Sequence, residues 1–129
     1  MSVHVGDRLP ELAVDVTTTL VVAGALASRD FQDVHHDRVL AQDAGGNDVF
    51  MNILTTNGFV GRFVTDWAGP DAVLKKVAIR LGAPNYPGDT MRLTGSVTRV
   101  DGVEVEVDVR GANSLGDHVA GTVTLELPR

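Results

Sequence analysis

Residues 103–110 read Val-Glu-Val-Glu-Val-Asp-Val-Arg, an unbroken alternation of apolar and charged side chains. Successive side chains of a β-strand point to opposite faces, so this period predicts a strand with its valines inward and its charges in water. On the N-terminal side, Met91, Leu93 and Val97 alternate with Arg92, Thr94 and Thr98. Asp101-Gly102 joins the two runs, and Asp-Gly is the chemistry of a tight type I′ hairpin turn. On the C-terminal side, after a loop expected over 113–117, Val119, Val123, Leu125 and Leu127 alternate with Thr122, Thr124 and Glu126. Three antiparallel strands in succession make a meander. A fourth, over 73–81, is expected to precede them in one curved sheet, broken off by Gly82, Pro84, Pro87 and Gly88.

The middle of the chain has a different period. Ile53, Leu54, Val60, Phe63, Val64 and Trp67 recur mostly at helical spacings, a stripe of about four turns, and Gly69-Pro70 ends it. Phe63 and Trp67 belong to the core or to an interface. Gly58 and Gly61 lie inside the helix, where each costs about 1 kcal/mol relative to Ala. That cost suggests close approach of another backbone or of a ligand. Residues 17–22 are expected to supply a first strand, and 23–28 a short helix. A long apolar helix followed by a meander predicts an α+β fold, one curved antiparallel sheet wrapped around one central helix, with residues 1–129 as one domain.

Composition removes several function classes. The 129 residues carry 11 Lys+Arg against 17 Asp+Glu, a net charge of −6, which argues against general binding to nucleic acid or anionic membranes. With no cysteine there is no disulfide framework, no thiolate metal site and no thiol nucleophile. The amino terminus lacks a basic segment followed by an apolar one. The longest apolar run, 20–26, is far short of the ~20 residues of a membrane span. A cytoplasmic protein is expected, with chemistry supplied by histidine, carboxylates, hydroxyls or backbone amides.

The segment Asp30-Phe31-Gln32-Asp33-Val34-His35-His36-Asp37 concentrates those groups. An Asp and a His five apart do not share a helix face, but on a turn they can converge. A carboxylate and an imidazole sharing one water can deprotonate it and supply a proton elsewhere, which is general acid–base catalysis. A metal is not expected here. A catalytic zinc site usually wants three convergent ligands, and adjacent His35 and His36 do not aim at one ion.

At this point the sequence resembles a known family. The segment is similar to the Asp-x-Asn-Pro-x-His-x-Asp motif of MaoC-like enoyl-CoA hydratases, with Asp30, His35 and Asp37 at matching positions; Gln32 stands for Asn and Asp33 for Pro. Thr55-Thr56-Asn57-Gly58 falls where the family carries a His-Gly near the start of its central helix. Residues 83–90, Ala-Pro-Asn-Tyr-Pro-Gly-Asp-Thr, resemble its Pro-x-x-Pro-Gly-Asp-Thr turn, and 113–121 resemble its Asn-Gln-x-Gly segment. The resemblance covers about 15–127 and implies the hot-dog fold. Within the family, residues 29–37, 52–55, 64–70 and 113–119 are most similar to the small subunits of actinobacterial steroid side-chain hydratases. That likeness implies a larger MaoC-like partner subunit with a second, OB-type domain, in a heterotetramer of two small and two large subunits. It also implies a steroid enoyl-CoA substrate with a three-carbon side chain, hydrated at ring carbon 17, and an associated thiolase-like aldolase. No cofactor is implied beyond the CoA of the substrate.

On this reading Asp30 and His35 hold the attacking water; which one takes the proton is left open. The backbone N–H of Gly58 is the candidate donor to the thioester oxygen, or Gly58 serves helix–sheet packing. Gln32 orients the pair or caps the turn. Lys75, Lys76 and Arg80 either meet the phosphates of CoA or form a solvated strand face. His36 is expected to point away, Asp37 to cap a helix over 38–41, and His118 to be structural. Rival readings are a straight-chain (R)-specific enoyl-CoA hydratase, a non-catalytic hot-dog partner, and a thioesterase. The last needs a carboxylate on the central helix, where Asp66, near the far end, is the only acid.

Overall fold

The structure, a computed structural model, describes residues 2–129. Five strands, β1 (Leu12–Asp15), β2 (Val73–Leu81), β3 (Thr90–Asp101), β4 (Glu104–Asn113) and β5 (Gly116–Glu126), form one sheet in the order β1-β3-β4-β5-β2 with antiparallel neighbours. The alternation read from the sequence is the reason: Met91, Leu93, Val105, Val107, Val109, Val123 and Leu125 are all buried on one face. That face packs on a long helix over Ile53–Ala68, whose stripe of Val60, Phe63 and Val64 is buried in the same cluster. Each such side chain contributes about 1.5–3 kcal/mol on leaving water. The result is the α+β, helix-in-sheet arrangement expected from the two periods.

Two short helices precede the long one, so they are α1 (Thr18–Ala27) and α2 (Arg38–Asp43), and the long helix is α3. The expected first strand over 17–22 is instead the start of α1. Thr17 is its N-cap, its hydroxyl accepting from Leu20 N–H at 3.0 Å. Val21 buries against Val16, Ala41, Val49 and Met51 in a second cluster, Ala25 one turn on is buried as well, and that packing outweighs the weak strand preference of a β-branched run. The real first strand lies earlier, pairing Leu12 with Leu93. Asp37 caps α2 as expected, accepting from Leu40 N–H at 3.1 Å.

The turns of the meander also differ in detail. Asp101 pairs with Glu104, so the two-residue loop is Gly102-Val103, one step later than expected. Gly102 has φ +62° and Val103 does not have positive φ, which excludes type I′ and fits a turn with Gly in its first central position. Between β4 and β5 the expected five-residue loop shrinks to Ser114-Leu115, because Asn113 pairs with Gly116. Neither glycine of α3 is forced by a close approach: a methyl on Gly58 would meet nothing within 4 Å, and one on Gly61 would make ordinary contact with Leu74 at 3.7 Å. The tight contact is at Gly24, where a side chain would fall on the Thr55 hydroxyl, bringing α1 close against the first turn of α3.

Candidate active site

Three elements converge at the N-terminal end of α3. Helix α1 ends with Arg29 in the left-handed region, φ +56°, and Asp30 N–H reaching back to the Ala25 carbonyl at 2.9 Å. This chain reversal is usually made with glycine. It turns Asp30 inward. A single 3-10 turn over Asp33–His35 follows, closed by His35 N–H to the Gln32 carbonyl at 3.1 Å, and brings His35 round to face Asp30. The turn thus does what helical spacing could not. Asp30 Oδ2 lies 3.2 Å from His35 Nε2, with His35 buried and Asp30 partly so.

The imidazole is held from behind. His35 Nδ1–H donates to the Phe50 carbonyl at 2.7 Å, and the Phe50 ring meets it edge-on at 4.9 Å. A carbonyl only accepts, so Nδ1 carries a hydrogen and Nε2 is the nitrogen presented to Asp30. Asn52, the N-cap of α3, is buried beside them, its Nδ2 donating to Asp30 Oδ2 at 3.2 Å and to Ser28 Oγ at 2.8 Å. Asp30, His35, Asn52 and Ile53 line a cavity of about 330 Å³ whose other wall is Leu81, Gly82, Pro84 and His118.

His118 is the second buried imidazole of that cavity. Its Nδ1–H donates to the Ala83 carbonyl at 2.7 Å, and its Nε2 accepts from the Thr56 hydroxyl at 2.8 Å. Burial pushes its pKa below the ordinary 6.5, with the Ala83 carbonyl acting in the opposite sense. It ties the end of β2 to the second turn of α3.

The other expected residues fall elsewhere. Gly58 is the sixth residue of α3, beyond the first turn, so its N–H belongs to the intrahelical ladder and it does not line the cavity. Among the described residues, the N–H groups of α3 with no acceptor are those of Ile53 and Leu54, and Ile53 lines the cavity. Gln32 makes no side-chain cap; its N–H lies 3.4 Å from Asp30 Oδ1, and the residue sits at the cavity wall. His36 points away, to the Phe31 carbonyl at 3.2 Å. Lys76 and Arg80 pair in register with Thr124 and Ala120, on the sheet face opposite the helix, while Lys75 sits at a bulge 3.3 Å from Glu126. None of the three reaches the cavity. Arg80 instead borders a hollow of about 730 Å³ with Arg8, Arg110 and Asp108 on that outer face. The hollow is larger, but it holds no carboxylate–imidazole pair. Asp66, the carboxylate a thioesterase would need, is exposed and paired with Arg62 at 3.4 Å.

The sequence matches the family described as MaoC like domain over residues 3–118. The chain belongs to the MaoC-like family. It is 52% identical over 123 residues, 95% of each chain, to the 3-oxo-4,17-pregnadiene-20-carboxyl-CoA hydratase beta subunit of Mycobacterium tuberculosis. Among solved structures it is similar to a chain of the ChsH1-ChsH2 complex from M. tuberculosis, with a TM-score of 0.95, 51% identity, and coverage of 97% of this chain and 98% of that one. An (R)-hydratase from A. caviae superposes with a TM-score of 0.87 at 21% identity over 98% of both chains, a likeness of fold. The hot-dog fold of this MaoC-like chain, its helix inside its sheet, is that of both structures. Within it Asp30 and His35 line one cavity together with Asn52, Ile53 and His118.

Proposed function

We propose that this chain is the catalytic subunit of a heteromeric hydratase acting on a steroid side-chain enoyl-CoA with a three-carbon side chain. The hydratase class follows from the family and from the 52% identity to a hydratase subunit. The observation that carries the catalytic assignment is the 3.2 Å contact of Asp30 Oδ2 with His35 Nε2 at a cavity beside the free N-terminus of α3. A chemically silent partner subunit would have no need of this pair.

In the reaction, water held by Asp30 and His35 attacks the β-carbon of the enoyl thioester, and a proton goes to the α-carbon. Negative charge gathers on the thioester oxygen. The Ile53 N–H, the first of α3 and lacking an intrahelical acceptor, is placed to receive it, with the helix dipole in support. Water addition needs no redox cofactor. With the double bond reaching ring carbon 17, the product is a tertiary alcohol without a carbinol hydrogen, so it cannot be oxidised to a ketone. Carbon–carbon cleavage by a thiolase-like aldolase is the step left to consume it.

A cavity of about 330 Å³ is small for a steroid joined to CoA, which supports a site completed by a second subunit. The free edge of β2 and the exposed Ile53, Leu54, Leu74 and Leu81 around it are where a larger MaoC-like subunit with an OB-type domain would dock, two copies of each making a heterotetramer. A CoA-thioester substrate is the ground for reading the enzyme as cytoplasmic. No helix among the described residues is long and apolar enough to cross a membrane.

The test is co-expression with the large subunit, then assay of water uptake on 3-oxo-4,17-pregnadiene-20-carboxyl-CoA and on crotonyl-CoA. Turnover of the steroid thioester by the complex, and not by the chain alone, is expected. Efficient turnover of crotonyl-CoA by the chain alone would establish the straight-chain hydratase reading instead.

A further inference from the structure

Asn52 has two ends, and their partners differ. Its Oδ1 accepts from Thr55 N–H at 3.1 Å and from the Thr55 hydroxyl. A backbone N–H can only donate, so the amide has one orientation, with Nδ2 turned away from the helix. That Nδ2 donates to Asp30 Oδ2 at 3.2 Å and to Ser28 Oγ at 2.8 Å, and the Ser28 hydroxyl hydrogen is itself directed to the Gly24 carbonyl at 2.7 Å. Asp30 Oδ2 is also the oxygen 3.2 Å from His35 Nε2. The oxygen that accepts from the Asn52 amide is therefore the same one that faces the imidazole.

We propose that Asn52 is the positioning residue of the pair: its amide fixes the Asp30 carboxylate against His35 Nε2, so that the two together take the proton of the attacking water and return one to the α-carbon. The proposal rests on the hydration reading above. One O–H bond of water breaks as the C–O bond forms at the β-carbon; that proton passes to the pair, and the α-carbon takes one from it. The pair ends with as many protons as it began with, and any redistribution runs across the 3.2 Å contact. No other reactant is needed. The helix cap and the catalytic carboxylate are thereby fixed by a single buried side chain.

Two substitutions separate the cap from the donor. Asn52→Thr keeps an N-capping oxygen and loses the amide donor to Asp30. Asn52→Asp keeps the cap and places an acceptor where the donor stood. The titratable groups around the position are Asp30 and His35 on its own side and His118 on the facing wall. Both variants are assayed as the co-purified complex, with helicity and assembly checked by circular dichroism and gel filtration. The expected result is a fall in kcat of about 100-fold, with KM within about threefold of wild type, in both. In Asn52→Asp the loss eases as the pH is lowered, where the introduced carboxyl takes a proton and donates again. The proposal is overturned if assembled Asn52→Thr keeps kcat within about twofold of wild type, or if the Asn52→Asp loss does not ease in acid. Should the wild-type complex hydrate crotonyl-CoA and not the steroid thioester, the substrate reading fails by itself. The same comparison is then read on crotonyl-CoA.

Discussion

The two walls of the cavity each present a buried histidine, and the two are built alike from behind. His35 Nδ1–H donates to the Phe50 carbonyl and His118 Nδ1–H to the Ala83 carbonyl, both at 2.7 Å, so each turns its Nε2 forward. What Nε2 meets is different. On the loop wall it is the carboxylate of Asp30 at 3.2 Å; on the sheet wall it is the hydroxyl of Thr56 at 2.8 Å. A carboxylate neighbour can take up and return a proton, while a hydroxyl neighbour only completes a hydrogen bond. The same side chain, with the same rear anchor, faces a carboxylate in one wall and a hydroxyl in the other.

That contrast breaks or holds by substitution. The largest effect is expected on the loop wall: Asp30→Ala and His35→Ala each lower kcat by about 10²–10⁴-fold while gel filtration still shows the assembled complex. Normal turnover in either variant would remove the pair from the mechanism. On the sheet wall, His118→Phe leaves the Ala83 carbonyl without its partner and the Thr56 hydroxyl with only the Asn52 carbonyl at 3.4 Å, so it costs about 1–3 kcal/mol of stability by thermal or denaturant unfolding. His118→Gln, able to serve both groups, is expected to restore most of it. If His118→Phe were well folded yet as inactive as His35→Ala, the two histidines would share the chemistry and the contrast would fail.

His118 also predicts a pH dependence. Its pKa is lowered in the folded chain by burial, so below about 6.5, the ordinary value, the unfolded chain binds a proton that the folded chain resists. Its contribution is therefore complete above that value and is lost as the pH falls through it. Melting curves between pH 7.5 and 5.5 are expected to show a shallower fall for His118→Gln than for wild type; equal slopes would assign the acid sensitivity elsewhere. The smallest effect is expected outside both walls. Lys76→Ala and Arg80→Ala, on the outer sheet face, leave KM for the CoA ester within about twofold. A clear rise in KM would instead carry the phosphate arm of CoA around to that face and restore the reading made from the sequence.

Legibility followed the range of the interaction. The strands of the meander and α3 were readable because periods of two and of about 3.6 residues are written locally, and Val105, Val107, Val109, Val60, Phe63 and Val64 obey them. The pair Asp30 and His35 was readable through its spacing and the family motif. Asn52 carried a signal that went unread: an Asn directly before a helical apolar stripe is an N-cap, and the N–H after it is free. Reading it would have moved the expected oxyanion donor from Gly58 to Ile53. His118 carried no such signal. Strand alternation aims it opposite to Val119, which is buried; β4 and β5 slip register between Gly111 and Ala112, and opposite that slip His118 turns inward together with Val119.

The amino-acid sequence by itself determined the secondary-structure periods, the helix-in-sheet class and the candidate pair Asp30 and His35, because each depends on neighbours a few residues apart or on a short motif. Only the tertiary structure decided which groups surround that pair. Whether residues 17–22 became strand or helix depended on Val16, Ala41, Val49 and Met51, which lie beyond any local window. Whether His118 faced water or Thr56 depended on a bulge set by two strands pairing, and the partners that the Asn52 amide nitrogen meets, Ser28 and Asp30, arrive from the end of α1. These are contacts between distant segments, and a linear pattern does not encode which of them a packed chain will make.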